Sequence, residues 1–139
     1  MKETKEQLRA LIQATDDCER LWKWMEKGNN DSEEDKRDWP EWKRNGGNVE
    51  NNAWICPICE YDEEYGCSSG ECRGVCILSR IWPRGCLRRP SPFYSFYHGK
   101  GTSEDARKIW VEARRVKRNA VRRYERKRQY SIIHMRNMW

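Results

Sequence analysis

Six cysteines are the residues of this chain whose type and spacing are most suited to chemistry. All lie between positions 56 and 86: Cys56, Cys59, Cys67, Cys72, Cys76 and Cys86. Cys56-Pro57-Ile58-Cys59 is a C-x-x-C pair, which holds two thiolates at the separation that tetrahedral Zn²⁺ requires. The first ten residues contain no apolar signal-peptide core, so we expect the chain not to be exported. Without export to an oxidising compartment, the thiols should stay reduced. The cluster therefore predicts a structural zinc site.

The spacing leaves the full ligand set open, since six clustered cysteines are available for the four positions of a structural zinc site. The predicted zinc ligands are Cys56, Cys59, Cys72, Cys76 and Cys86. Cys67 is the weakest candidate, and His98 is an alternative nitrogen ligand. The competing interpretations are buried thiols, disulfides and an iron–sulfur cluster. By contrast, Cys18 stands alone on an apolar helical face and is predicted to be a core residue.

The C-terminal segment carries the positive charge of the chain, whose formal net charge is +6. Residues 103–139 contain 12 basic and 4 acidic side chains, which gives a net charge of +8. Residues 1–102 contain 16 basic and 18 acidic side chains, which gives a net charge of −2. An imbalance of this kind on one segment predicts an anionic partner. The predicted contact residues are Arg107, Arg114, Arg115, Arg118, Arg122 and Arg123, together with Arg84 and Arg88 beside the cysteines.

Two helical regions are predicted to flank the cysteine cluster. In residues 2–27, apolar side chains recur every three or four positions, and Gly28 is a plausible end. Whether Thr15-Asp16-Asp17 divides this region into two helices stays open. A similar pattern after Thr102 predicts a helix that runs to about Gln129.

The predicted organisation is one small, mainly α-helical domain. It consists of an N-terminal helical region with a Trp-Pro-x-Trp segment (1–53), a loop-rich zinc knuckle (54–101) and a long basic helix (102–139). Since 36% of the residues are charged, core material is scarce, and the eight tryptophans must supply much of it. The predicted core tryptophans are Trp22, Trp39, Trp42, Trp54, Trp82 and Trp110. No apolar run reaches about 18 residues, so we expect no membrane span.

Several motifs together resemble a group of small cysteine-rich proteins encoded by tailed bacteriophages. They are Trp22-x-Trp24, Trp39-Pro40-x-Trp42, Cys56-Pro57-Ile58-Cys59-Glu60-Tyr61, Cys72…Cys76-Ile77-Leu78, and Gly85-Cys86 with Ser91-Pro92-Phe93-Tyr94. In that group the second cysteine pair is usually C-x-x-C-P, whereas this chain has one extra residue and no proline there. The resemblance implies a phage accessory protein in the cytoplasm of an infected bacterial host, and it brings no settled activity.

The sequence favours a binding protein over an enzyme. An all-thiolate zinc site is closed, and the two histidines, His98 and His134, lie in no recognisable catalytic motif. The favoured prediction is a non-enzymatic, zinc-stabilised protein that binds nucleic acid through its basic helix, with Tyr94 and Tyr97 available for base stacking. The alternative is an anti-defence inhibitor that binds an acidic surface of a host protein, for example a CRISPR or other immune effector. A homodimer is a further candidate assembly.

Overall fold

The structure, a computed structural model, describes residues 3–41, 61 and 91–138. Helix α1 spans Lys5–Lys27, a 3-10 helix spans Glu33–Asp38, α2 spans Pro92–Tyr97 and α3 spans Ser103–Asn137. The described residues contain no β-strand. The prediction of a small, mainly α-helical single domain is confirmed for this part of the chain, whereas residues 54–60 and 62–90 of the predicted zinc knuckle, with its six cysteines, lie outside it.

Helix α1 is one continuous helix with a signal at each end. At its start, the backbone N–H of Gln7 donates to the Thr4 hydroxyl (3.0 Å) and that of Thr4 donates to the Gln7 amide oxygen (2.8 Å). Thr15 does not cap a second helix. Its hydroxyl donates to a backbone carbonyl one turn earlier at 2.8 Å, which is compatible with an unbroken helix. The helix ends at Gly28, and Asn29 follows in the left-handed region with φ 51°.

Helix α3 begins where the sequence predicts and continues beyond Gln129, the point up to which the apolar pattern predicts it. Thr102 is its N-cap and exchanges hydrogen bonds with Asp105 at 3.1 and 3.2 Å. The helix continues past Gln129 to Asn137, which makes it about 52 Å long at the standard rise. The added residues, 130–137, contain no glycine or proline that would stop the helix.

Helices α1 and α3 pack antiparallel and form the centre of the core. Glu26 near the end of α1 contacts Arg107 near the start of α3, whereas Glu3 contacts Arg123. The fully buried apolar residues of the two helices include Leu8, Leu11, Cys18, Leu21, Trp22 and Met25 of α1 and Ala106, Ile109, Ala113 and Ala120 of α3. This confirms both predicted apolar faces and the core position of Cys18. Val121 is the exception, since it is 39% exposed on the other side of α3.

The indole core is confirmed for the tryptophans that the structure describes. Trp22 and Trp39 are buried, at 1% and 3% exposure, and Trp110 is partly buried against the core. Outside the described residues lie the other predicted core tryptophans: Trp42, Trp54 and Trp82. Aromatic side chains of this size bury a large apolar area each, which compensates for the small number of aliphatic residues.

Helix α2 lies inside the region predicted to be loop-rich. The backbone N–H of Phe93 donates to the Ser91 hydroxyl at 3.2 Å, and Pro92 occupies the first turn, where its missing N–H costs nothing. The helix turns Phe96 into the core, where its ring centroid lies 4.7 Å from that of Trp22. The sequence pattern does not predict this helix, because the glycines and prolines of the wider region outweigh the short serine–proline start signal.

Gly101 is needed where the backbone passes close to Phe96. A Cβ at this position would lie 2.2 Å from the Phe96 ring, which is buried and edge-on to Trp22. We expect Gly101→Ala to lower the free energy of unfolding by about 2 kcal/mol, a usual cost of overpacking a core, as measured by urea denaturation. Gly99→Ala is the matched control, because its Cβ would meet open space and only the φ of 70° is strained, at about 1 kcal/mol. An equal or larger loss in the Gly99 variant would contradict the steric explanation.

Candidate functional site

Two groups of basic residues on α3 differ in their partners. The first group pairs with carboxylates of α1 and of Glu3, which precedes α1. These ion pairs are Arg107–Glu26 (2.7 Å), Arg114–Glu19 (3.3 Å), Lys117–Asp16 (3.2 Å), Lys117–Glu19 (3.2 Å) and Arg123–Glu3 (2.9 Å). Three of the predicted contact residues, Arg107, Arg114 and Arg123, therefore already hold carboxylates within the molecule.

Glu19 is the centre of this ion-pair network. It is buried between the helices and contacts Lys23 at 3.0 Å, Lys117 at 3.2 Å and Arg114 at 3.3 Å. Burial raises the pKa of Glu19, but hydrogen bonds from the three cations outweigh it and lower the pKa to about 2. A buried carboxylate that stays charged in this way fixes the register of α1 on α3.

Trp110 connects the same two helices at the other end of the network. Its indole N–H donates to Glu26 at 2.5 Å, and this bond, together with one from Arg107, lowers the pKa of Glu26. Lys23 and Arg114 lie 4.9 and 4.8 Å from the indole ring centroid, within cation–π range. The groups around Trp110 are thus engaged with one another and position α3 on α1.

The second group of basic residues faces away from α1. Arg118, Arg122 and Arg126 are exposed and follow one another at four-residue intervals, about 6 Å apart along the helix axis. Among the described residues, their side chains make no ion pair or hydrogen bond. The same interval continues to Tyr130 and His134, which are also exposed. We name this row of five residues the α3 ridge.

Arg115 lies beside the α3 ridge and has a partner on its own helix. It is exposed and donates a hydrogen bond to the Glu112 carboxylate one turn earlier, and this bond raises the pKa of Arg115. Two predicted contacts near the cysteines lie outside the described residues: Arg84 and Arg88. Of the predicted set, Arg118 and Arg122 are thus the ones that the described structure shows exposed and without a carboxylate.

The last turns of α3 extend beyond its packing on α1. Near the point where contact ends, the Arg9 guanidinium lies 5.7 Å from the ring centroid of Tyr124. Every residue from Ile132 to Met138 is exposed. The exposed large apolar side chains of this segment are Tyr130, Ile132, Ile133, Met135 and Met138. The helix end therefore offers apolar surface next to the α3 ridge.

Tyr130 is an aromatic residue that the sequence analysis did not single out. Its ring lies nearly parallel to the His134 ring, with centroids 6.3 Å apart and an interplanar angle of 7°. Because Tyr130 is 72% exposed, most of its ring remains open to solvent. The signal that identifies it is the four-residue interval from Arg126, which continues the arginine row by one turn.

The tyrosines predicted for base stacking, Tyr94 and Tyr97, lie elsewhere. Both belong to α2, and their ring centroids lie 4.3 and 5.2 Å from that of His98. Helix α2 packs by Phe93 and Phe96 against Trp22, near the end of α1 and the start of α3. Tyr130 lies at the opposite end of the α1–α3 pair. The structure therefore does not bring the predicted tyrosines next to Arg122 and Arg126.

The predicted zinc ligands lie outside the described residues: Cys56, Cys59, Cys72, Cys76 and Cys86. Within the described residues, no group of three or more histidine, cysteine or acidic side chains is arranged to hold a metal ion. The alternative ligand His98 follows α2 and packs against two tyrosines there. As a donor set, clustered reduced thiolates fit Zn²⁺, so the zinc prediction remains open to experiment.

Comparison of the chain with protein-family models, curated proteins and solved structures finds no match. None of the described helices is long and apolar enough to cross a lipid bilayer. The function is therefore inferred from the α3 ridge and from the residue types of the cysteine cluster.

Proposed function

We propose that this protein is a non-enzymatic nucleic-acid-binding protein whose α3 ridge contacts phosphate groups. The observation that carries the proposal is the row of Arg118, Arg122 and Arg126, exposed and without carboxylate partners among the described residues. The planar guanidinium group matches two phosphate oxygens at once, and arginine keeps its charge at any physiological pH. Three such groups in line suit the regular negative charge of a nucleic-acid backbone.

The ion pairs with α1 support this function in two ways. They neutralise the arginines on the inner side of α3, so the positive potential is concentrated on the outer side. They also hold α3 in one position before any partner binds. A helix that is already ordered loses less conformational entropy on binding than a flexible basic tail does.

The ionisable groups of the helix pair fit a binding protein. Hydrogen bonds at the contact of α1 with α3 lower the pKa values of the Glu19 and Glu26 carboxyl groups. Such shifts are typical of structural ion pairs and keep both groups charged, whereas a general acid near neutral pH needs a raised carboxyl pKa. We therefore propose binding without turnover.

We further propose that four of the clustered cysteines, Cys56 and Cys59 among them, hold a structural Zn²⁺ ion. Bound zinc would supply folding free energy to a segment rich in loop-forming residues. The resemblance to cysteine-rich phage proteins supports a phage accessory role in the cytoplasm of an infected bacterium. In this proposal zinc stabilises the fold, and the α3 ridge binds the partner.

Replacing Arg118 and Arg122 together with alanine is expected to weaken binding to labelled DNA or RNA by about ten-fold at low salt. The reason is the loss of two phosphate contacts. Because both side chains are exposed, their replacement should change the stability of the fold little. The slope of log K against log salt concentration should also flatten, by about 0.7 to 0.9 per arginine removed. Fluorescence anisotropy titrations at several salt concentrations measure both quantities.

The matched control is Lys27→Ala with Lys100→Ala, which removes the same charge from exposed positions away from the α3 ridge. This control should keep most of the affinity. An equal loss in both double variants would show a general charge effect and contradict a contact at the ridge. If the wild-type protein binds neither DNA nor RNA at low salt, the proposed function is wrong.

The alternative function is inhibition of a host defence protein through an acidic surface. It is favoured by the exposed apolar residues at the end of α3, including Ile132, Met135 and Met138, because helices that bind protein grooves use such side chains as anchors. Co-purification from infected cells after nuclease treatment separates the two functions. A defined host protein that stays bound, combined with a chain that binds no nucleic acid, would favour the alternative.

A further inference from the structure

We infer that the α3 ridge recognises single-stranded nucleic acid, with Tyr130 as the platform on which one base stacks. The inference rests on the proposed function and names the form of nucleic acid that the ridge binds. It is carried by the position of Tyr130, four residues after Arg126 and on the same side of α3.

The exposure of Tyr130 has no structural explanation within the described residues. Aromatic side chains normally bury a large area, yet Tyr130 is 72% exposed. It lies beyond the contact between α1 and α3, so it adds nothing to the core. Its ring is nevertheless held nearly parallel to the His134 ring, with an angle of 7° between the planes. A ring that lies parallel to a neighbouring ring and is mostly open to solvent is suited to stacking.

The combination of arginines and an open ring favours single strands over duplexes. Within a duplex, both faces of each base are covered by its neighbours, so an aromatic side chain has no base face to contact. In a single strand, every base offers a face, and proteins that bind single strands combine a basic track with aromatic platforms. The α3 ridge has both parts in one row that turns by about 40° around the helix at each four-residue step, so Arg126 and Arg122 are the arginines nearest to Tyr130.

Tyr130 is separate from Ile132, Met135 and Met138 at the end of α3, whereas Ile133 follows it at a three-residue interval on the same side. Ile132, Met135 and Met138 follow one another at three-residue intervals, and Met135 and Met138 continue the side of the helix that faces α1 further up. At 3.6 residues per turn, Tyr130 lies roughly 140° away from the middle of that row. A protein partner that covers Ile132, Met135 and Met138 would therefore leave Tyr130 on the side of the arginines.

The test uses the full chain and fluorescence anisotropy with four probes of equal length. They are single-stranded DNA, the same strand in a duplex, RNA of the same sequence, and an abasic DNA strand that keeps the phosphates and lacks the bases. Tyr130→Ala is expected to weaken binding to single-stranded DNA or RNA by about ten-fold. Binding to the duplex and to the abasic strand should change by less than about two-fold, because phosphate contacts remain. Tyr130→Phe should keep the wild-type affinity, since the ring is retained.

The outcomes separate this inference from the proposed function. If Tyr130→Ala binds single strands as the wild-type protein does, or loses the abasic strand equally, the stacking role is wrong. A preference of the wild-type protein for the duplex would also overturn it. In these cases a loss of affinity in the Arg118/Arg122 double variant would still support the proposed function. If the wild-type protein binds none of the four probes, both the stacking role of Tyr130 and the proposed function are wrong. Circular dichroism checks that the variants stay helical.

Discussion

At pH 7, replacing Glu19 with glutamine is expected to lower the free energy of unfolding by about 3 kcal/mol. Burial alone would raise the pKa of Glu19, yet hydrogen bonds from Lys23, Arg114 and Lys117 lower it from 4.5 to about 2. A pKa lowered this far means that the charged form is favoured by the folded state over the unfolded state. Glutamine keeps the shape of the side chain and removes the charge that the three cations surround. Urea denaturation of both proteins measures the difference.

The pH dependence gives a second readout of the same substitution. The stability supplied by the Glu19 carboxylate is fully present above its unfolded pKa of 4.5 and is lost as the pH falls through the folded pKa of about 2. As the pH falls from 4.5 to about 2, the free energy of unfolding should therefore decrease more for the wild-type protein than for Glu19→Gln. At the acidic end of this range, the two proteins should be about equally stable.

Glu104→Gln is the matched control for Glu19→Gln. Glu104 also pairs with a lysine, but the pair with Lys108 spans 3.7 Å and both side chains are largely exposed. Exposed pairs of this kind contribute little to stability, so this variant should unfold almost as the wild-type protein does. A difference between Glu19→Gln and wild type that stays constant from pH 7 to the acidic end would contradict the account of the network.

Replacing Cys56 and Cys59 together with serine is expected to abolish stoichiometric zinc binding. The C-x-x-C pair is the strongest metal-binding signal in the chain, and serine hydroxyls cannot replace thiolates as zinc ligands at neutral pH. Structural zinc sites contribute on the order of 10 kcal/mol at neutral pH, so the segment that depends on the metal should not fold in this variant. Elemental analysis of the purified proteins measures the metal content. A chelator should lower the Tm of the wild-type protein and leave the Tm of the Cys56/Cys59 variant unchanged.

Cys18→Ala is the matched control for the zinc prediction. Cys18 is buried in the core formed by α1 and α3, apart in sequence from the six clustered cysteines. This variant should keep one zinc ion per chain while losing some packing energy, by about 1 kcal/mol. Wild-type protein without zinc, or a Cys56/Cys59 variant with a full complement of zinc, would show that the cysteines have another role.

The α1 and α3 helices follow from the sequence because their signals are local. Apolar residues at three- and four-residue steps define a buried side of each helix, and Thr102 with Asp105 supplies a complete N-terminal cap. Burial of Trp22 and Trp39 could likewise be expected from residue type. The chemistry of the cysteine cluster is also a property of the sequence, since ligand type and spacing favour zinc without reference to a fold.

Only the tertiary structure decided which arginines are left for a partner. Arg107 and Arg123 have carboxylate partners 81 and 120 positions away in the chain, and no local pattern connects residues so far apart. The pairing depends on the antiparallel register of α1 on α3, which is set by packing along their whole buried length. The same packing ends near Tyr124 and leaves Tyr130 exposed. Helix signals are local and can be read along the chain, whereas charge compensation and exposure depend on which distant residues packing brings together.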